Sequence, residues 1–105
     1  MGQNREAAAA YEELLERFPR DERAGLSAFE LGRLRMDALD DPRGAIEPLT
    51  RALRAGGAFR EDALARMARA HAAIGAREAC ARHRARYLDE YPEGAHAATV
   101  RELCP

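Results

Sequence analysis

Apolar positions recur at helical spacing along the whole chain, cut at short intervals by proline and glycine. From about Arg5 to Phe18, the residues Tyr11, Leu14, Leu15 and Phe18 fall on one face of a helix that must stop before Pro19. A second helix, with Asp21 as its expected cap, carries Leu26, Phe29, Leu31, Leu34 and Leu39. Asp40-Asp41-Pro42 reads as turn, N-cap and first helical residue of a third helix. That helix places Ala45, Ile46, Leu49, Ala52 and Leu53 inward and ends at Gly56-Gly57; Pro48 falls inside it, where the ring either kinks the helix or is tolerated in its first turns. A fourth helix runs from about Arg60 to Ile74 and closes on Gly75, with Leu64, Met67 and Ala68 inward. The fifth spans about Ala76 to Tyr91, before Pro92, and the last about Ala95 to Leu103.

Composition agrees with this reading. Alanine, leucine, arginine and glutamate dominate, and all are good helix formers. The β-branched residues are only Ile46, Ile74, Val100, Thr50 and Thr99, too few to build a sheet. The expected class is therefore all-α, with about six helices joined by links short enough to force antiparallel neighbours. A third of the 105 residues are charged, yet the net charge is −1. A nucleic-acid-binding domain carries a basic excess, so no nucleic-acid partner is expected. No apolar run approaches the roughly 20 residues of a membrane span, and direct membrane insertion is not expected either. The N-terminus lacks the basic-then-apolar order of a signal peptide.

The helices repeat. Leu14-Leu15-Glu16-Arg17-Phe18-Pro19 returns as Tyr87-Leu88-Asp89-Glu90-Tyr91-Pro92, 73 positions later, or two units of about 36 residues. Leu31-Gly32, followed by Ala45, Leu49 and Ala52, resembles the tetratricopeptide-repeat signature. The second unit keeps Met67-Ala68, His71, Gly75 and Cys80 before Pro92. Small residues at Gly32, Ala68, Ala45 and Cys80 let paired helices approach, and Leu49 fills the gap between them. Arg35 and His71 stand where that family usually has tyrosine, and Arg84 where it prefers an aromatic residue. The resemblance covers essentially the whole chain. It divides a single domain, 1–105, into the second half of a truncated repeat (1–19), two repeats (20–57 and 58–92) and a closing helix (93–105). It implies antiparallel helix-turn-helix repeats stacked in a right-handed superhelix.

The stretch from Phe18-Pro19 through Ala24 to Phe29-Glu30-Leu31-Gly32 is about three residues longer than in ordinary repeats. With Tyr91-Pro92-Glu93-Gly94-Ala95, it is similar to bacterial cell-envelope repeat proteins. These include the Tol–Pal coordinator, the outer-membrane assembly lipoprotein and the repeat tails of FecR-type regulators. That likeness implies a periplasmic or envelope location and a non-enzymatic scaffold that binds a peptide or protein partner. The alternative is an architectural spacer or oligomerisation segment with no ligand in the groove.

In such arrays the first helix of each pair lines a concave groove. The resemblance therefore places Phe29, Arg33, Met36, Arg66 and Arg69 at a partner-binding surface, with Asp62 and Ala65 close by. The arginines either bind a partner's carboxylates or are simply solvated. The asparagine and lysine set of the chaperone-binding carboxylate clamp is missing. The apolar face of the first helix also lacks one natural neighbour, which implies more chain or a homo-oligomer through that helix.

No catalytic or metal-binding constellation emerges. The histidines are His71, His83 and His96, Ser27 is the sole serine, and none forms a nucleophile–base pair in sequence. Cys80 and His83 lie three apart on one helix face, but two ligands are too few for a closed zinc site. The reading there is a packed Cys80 and a solvated His83. Glu12-Glu13, Asp40-Asp41 and Glu61-Asp62 read as caps and solvated faces. Gly56-Gly57 follows a helix, so it is a C-cap and not a phosphate loop. Neither enzyme activity nor a cofactor is expected. Finally, antiparallel packing of the last two helices brings Cys80 and Cys104 to the same end of a hairpin. They either form a disulfide, which the even count and the envelope likeness favour, or pack as separate small apolar residues.

Overall fold

The computed structural model describes residues 2–105. Among them are six helices and no strands, so the chain is all-α. The helices are α1 (Gly2–Arg17), α2 (Ala24–Arg33), α3 (Pro42–Ala55), α4 (Arg60–Ala73), α5 (Arg77–Glu90) and α6 (Ala97–Arg101). Each packs on its neighbour in sequence, and α6 also touches α4. The Cα radius of gyration, 13.4 Å, is close to the roughly 13 Å of a compact chain of this length. No described helix is long and apolar enough to cross a membrane.

Local chemistry sets most of the boundaries. Asp41 caps α3 by accepting the Gly44 amide at 2.9 Å, with Pro42 in the first turn. Gly56 and Gly57 leave the helix with φ of 74° and 105°, and Gly75 ends α4's turn with φ of 75°. Asp21 does not cap α2. It accepts the amide and guanidinium of Arg23 instead, so the turn closes on itself and the helix begins three residues later, at Ala24.

Three further features shape the helices. Helix α2 widens into a π-helical turn at Leu34–Ala38, closed by the Leu39 amide on the Leu34 carbonyl. Pro48 does not end α3, which runs unbroken to Ala55. The proline ring removes the donor that the Gly44 carbonyl would have had, and the Arg35 guanidinium supplies one at 3.0 Å. Arginine at this position thus serves the backbone of the next helix. Helix α6 is only five residues long. The amides expected to start it at Ala95 and His96 are bound by Glu61 Oε2 and the Tyr87 hydroxyl, both at 2.9 Å.

The core runs through all six helices. Ala28, Ala45, Leu49, Ala52, Ala63, Leu64, Ala68 and Tyr87 are fully buried in it. Gly32 permits a close approach of α2 and α3: a Cβ there would stand 2.6 Å from two Leu49 side-chain carbons. Cys80 and Cys104 are joined in a disulfide, with Cα atoms 6.2 Å apart.

Candidate interaction surfaces

The π-helical turn carries Asp37, and its carboxylate reaches across to α4. Arg66 Nη2 lies 2.7 Å from Asp37 Oδ2, and Arg69 Nη1 lies 3.8 Å from Oδ1. The Arg66 guanidinium also sits 5.6 Å from the Phe29 ring centroid. Phe29 in turn stacks on Phe59 at 5.1 Å. Next to this layer Arg33 pairs with Glu30, one turn back on α2, at 2.7 Å. Hydrogen bonding to that carboxylate raises the Arg33 pKa above its ordinary value.

The residues expected at a groove therefore divide. Phe29 and Ala65 are buried in the core, and Met36 packs partly against it. Arg66, with only 15% of its side chain exposed, acts as a tie between α2 and α4. Arg33 and Arg69 keep 41% and 42% of their side chains exposed and retain N–H donors beyond their internal partners. Asp62 turns away to His96, with 2.5 Å between Oδ1 and Nε2. The sequence reading missed Asp37 and Glu30. The Glu30–Arg33 spacing was readable as a helical pair, whereas Asp37 and Arg66 meet only through the fold.

Glu61 and Asp62 are not merely solvated acids. Glu61 Oε2 accepts the Tyr87 hydroxyl at 2.7 Å as well as the Ala95 amide. Tyr87, fully buried, has its phenol pKa pushed up to about 12, first by burial and then by the hydrogen bond to Glu61. These bonds fold the 92–97 link over the end of α5.

At the other end of the molecule the same motif position is uncovered. Leu14, in register with Tyr87, is 46% exposed, and Phe18, in register with Tyr91, is 55% exposed; Leu26 adds a third large apolar side chain at 51%. Leu15 is buried and Tyr11 half-buried. Leu14, Leu15 and Phe18, with Asp21, Arg23, Ala24 and Ser27 from the following link, line an open pocket of about 250 Å³. Shifted by 73 positions, this set falls on Tyr87, Leu88, Tyr91, Gly94, His96, Ala97 and Val100. There the space is filled, and the start of α4 supplies Glu61.

His83 also departs from expectation. It is half-buried, and its ring stacks on His71 with centroids 5.0 Å apart. No group of three or more potential histidine, cysteine or carboxylate ligands occurs among the described residues. Comparison of the chain with protein-family models, curated proteins and solved structures finds no match.

Proposed function

We propose that this chain is a non-enzymatic protein-interaction module of the tetratricopeptide-repeat type, which docks a helix of a partner on the exposed face of α1 and α2. One observation carries the reading: the pocket around Leu14 and Phe18 is the uncovered counterpart of a site that the chain fills with its own α4 at the other end. Charge defines the partner further. At the filled end, Arg60 at the start of α4 pairs with Glu90 at 2.8 Å, and Arg86 lies beside the same carboxylate. In register, α1 has Arg17 in place of Glu90 and Glu13 in place of Arg86. The partner helix therefore needs an acidic residue where α4 has Arg60, ahead of further acids matching Glu61 and Asp62.

The α2–α4 face supports a second, shallower contact for an acidic segment through Arg33, Met36 and Arg69, while Phe29 and Arg66 hold its base. The disulfide suits an oxidising compartment, which supports placing the module in a bacterial envelope or periplasmic protein.

The test is a binding titration with two labelled helical peptides, residues 59–75 in native form and with Arg60→Glu. The Arg60→Glu peptide should bind the wild type more tightly, and Arg17→Glu in the protein should invert that preference. Leu14→Asp with Phe18→Asp should abolish both. Equal binding of both peptides by both proteins removes the docking site. A concentration-dependent dimer lost in Leu14→Asp instead assigns the face to a second copy, the oligomerisation reading.

A further inference from the structure

A second recess, of about 380 Å³, lies between α3 and α5 with α4 as its floor. It is separate from the face just described. At 100° per residue, Met67 and His71, which line it, sit about 150° round α4 from Asp62, Arg66 and Arg69. Its volume falls within the roughly 300–1,000 Å³ of small-molecule sites.

Its lining combines two chemistries. Ile46 and Leu53 from α3 and Met67 from α4 form an apolar wall. The Thr50 hydroxyl is already donated to the Ile46 carbonyl at 2.7 Å. The remaining polar groups are the imidazoles of His71 and His83 and the guanidiniums of Arg54 and Arg86. No acidic side chain lines the recess. Arg86 is half exposed and only 3.4 Å from Glu90, and Arg54 makes no ion pair or side-chain hydrogen bond among the described residues.

The two imidazoles offer the recess different chemistry. His83 Nδ1 lies 2.8 Å from the Ala79 carbonyl, which fixes a proton on that nitrogen, so Nε2 is an acceptor in the neutral ring and a donor only once the ring is protonated. His71 Nδ1 is buried with no hydrogen-bond partner among the described residues. A buried N–H left unbonded is the costlier state, so the proton resides on Nε2, the nitrogen that remains available. We infer that this recess binds a small organic anion: a carboxylate held by His71 and Arg54, and by His83 once its ring is protonated, with its apolar body against Ile46, Leu53 and Met67. A metal cation is the wrong charge for a site rimmed by two guanidiniums.

Binding takes up protons. The groups facing His71 are Arg54 on α3 and Arg82, His83 and Arg86 on α5. Burial first, and then the positive charge of His83 and Arg82, hold the His71 pKa below its ordinary value. A carboxylate is held at His83 Nε2 only by the protonated ring, so affinity rises as pH falls toward 6.

Histidine-ring NMR of the intact, disulfide-bonded chain tests this, with benzoate, its neutral isostere benzamide, and inorganic phosphate as probes at pH 6 and pH 8. Benzoate should shift the His71 and His83 ring signals saturably, more tightly at pH 6, and leave His96 unmoved. Arg54→Gln, at an exposed and unpaired position, should weaken benzoate about fivefold, the worth of one exposed ion pair. The inference is overturned if benzoate gives no saturable shift, or if benzamide matches it. Phosphate binding in place of benzoate, or an unchanged affinity in Arg54→Gln with folding intact, also overturns it.

Discussion

Removing one oxygen from the core should loosen the C-terminal quarter of the molecule. Tyr87→Phe keeps the ring in its fully buried site but deletes the hydroxyl that donates to Glu61 at 2.7 Å and accepts the His96 amide at 2.9 Å. A hydrogen bond to a charged acceptor contributes about 1.5–3 kcal/mol. The His96 amide loses this acceptor, but water reaches the half-buried residue, so little is added. The expected loss is about 2 kcal/mol, or roughly 10 °C in Tm for a chain of this size. Thermal denaturation followed by circular dichroism at pH 7 measures it. The pH dependence gives an independent check. The folded phenol titrates at about 12, above its ordinary value of 10, so the folded state holds the proton more tightly. This contribution is fully present below pH 10 and is lost as pH rises toward 12. The gap between wild type and Tyr87→Phe should therefore narrow above pH 10. A loss under about 0.5 kcal/mol at pH 7, or a gap that stays constant from pH 9 to 11, would refute the latch.

Three other perturbations have definite expected outcomes. Reducing the Cys80–Cys104 disulfide opens a loop with a sequence separation of 24 and should cost about 3.5 kcal/mol, with amide exchange rising first in residues 97–104. Exchange rising uniformly along the chain would contradict that order. Arg35→Met strands the Gly44 carbonyl that Pro48 leaves without a donor and should cost about 1–2 kcal/mol in urea unfolding; Pro48→Ala should then restore part of the loss, giving a non-additive double-mutant cycle. Gly32→Ala gains about 1 kcal/mol of helix propensity but drives its methyl to 2.6 Å from Leu49 in a fully buried contact, at about 1–3 kcal/mol. Net destabilisation, relieved by Leu49→Ala in the same chain, is the expected result; stabilisation by Gly32→Ala alone would show that Leu49 yields freely.

The all-helical class and most helix ends were legible because they rest on local chemistry. Pro42 after Asp41, the glycine pair at 56 and 57, and Gly75 act within one turn of where they stand. What escaped the sequence reading depends on residues far apart. The late start of α6 follows from Glu61 and Tyr87 taking link amides 34 and 9 positions away. The π-helical turn at Leu34–Ala38 lies where Arg35 reaches α3 and Asp37 reaches α4, neither of which periodicity reveals. His83 was read as solvated because its stacking partner, His71, lies on another helix. Asp21 illustrates the converse failure. Its type suits a cap, but Arg23 two residues later offers a nearer donor, and the local competition goes the other way.

Arginine makes this chain's surface hard to read from composition alone. Every basic residue other than histidine is arginine, and most of the guanidiniums are engaged internally. Arg35 feeds an orphaned carbonyl, Arg60 and Arg66 tie α4 to α5 and to the turn after α2, and Arg77, Arg84 and Arg101 hold carbonyls near the C-terminus. A planar group with five donors suits such carbonyl and carboxylate partners better than lysine would. The count of arginines on α2 and α4 therefore overstated what a ligand finds there, since Asp37 and Glu30 neutralise much of it. Arg54 and Arg82 are different. They have no ion pair among the described residues, and both act on the neighbourhood of His71. Guanidiniums free of an acidic partner therefore lie near the recess between α3 and α5, whereas those of the α2–α4 face, where the repeat resemblance placed a groove, are paired with Glu30 and Asp37.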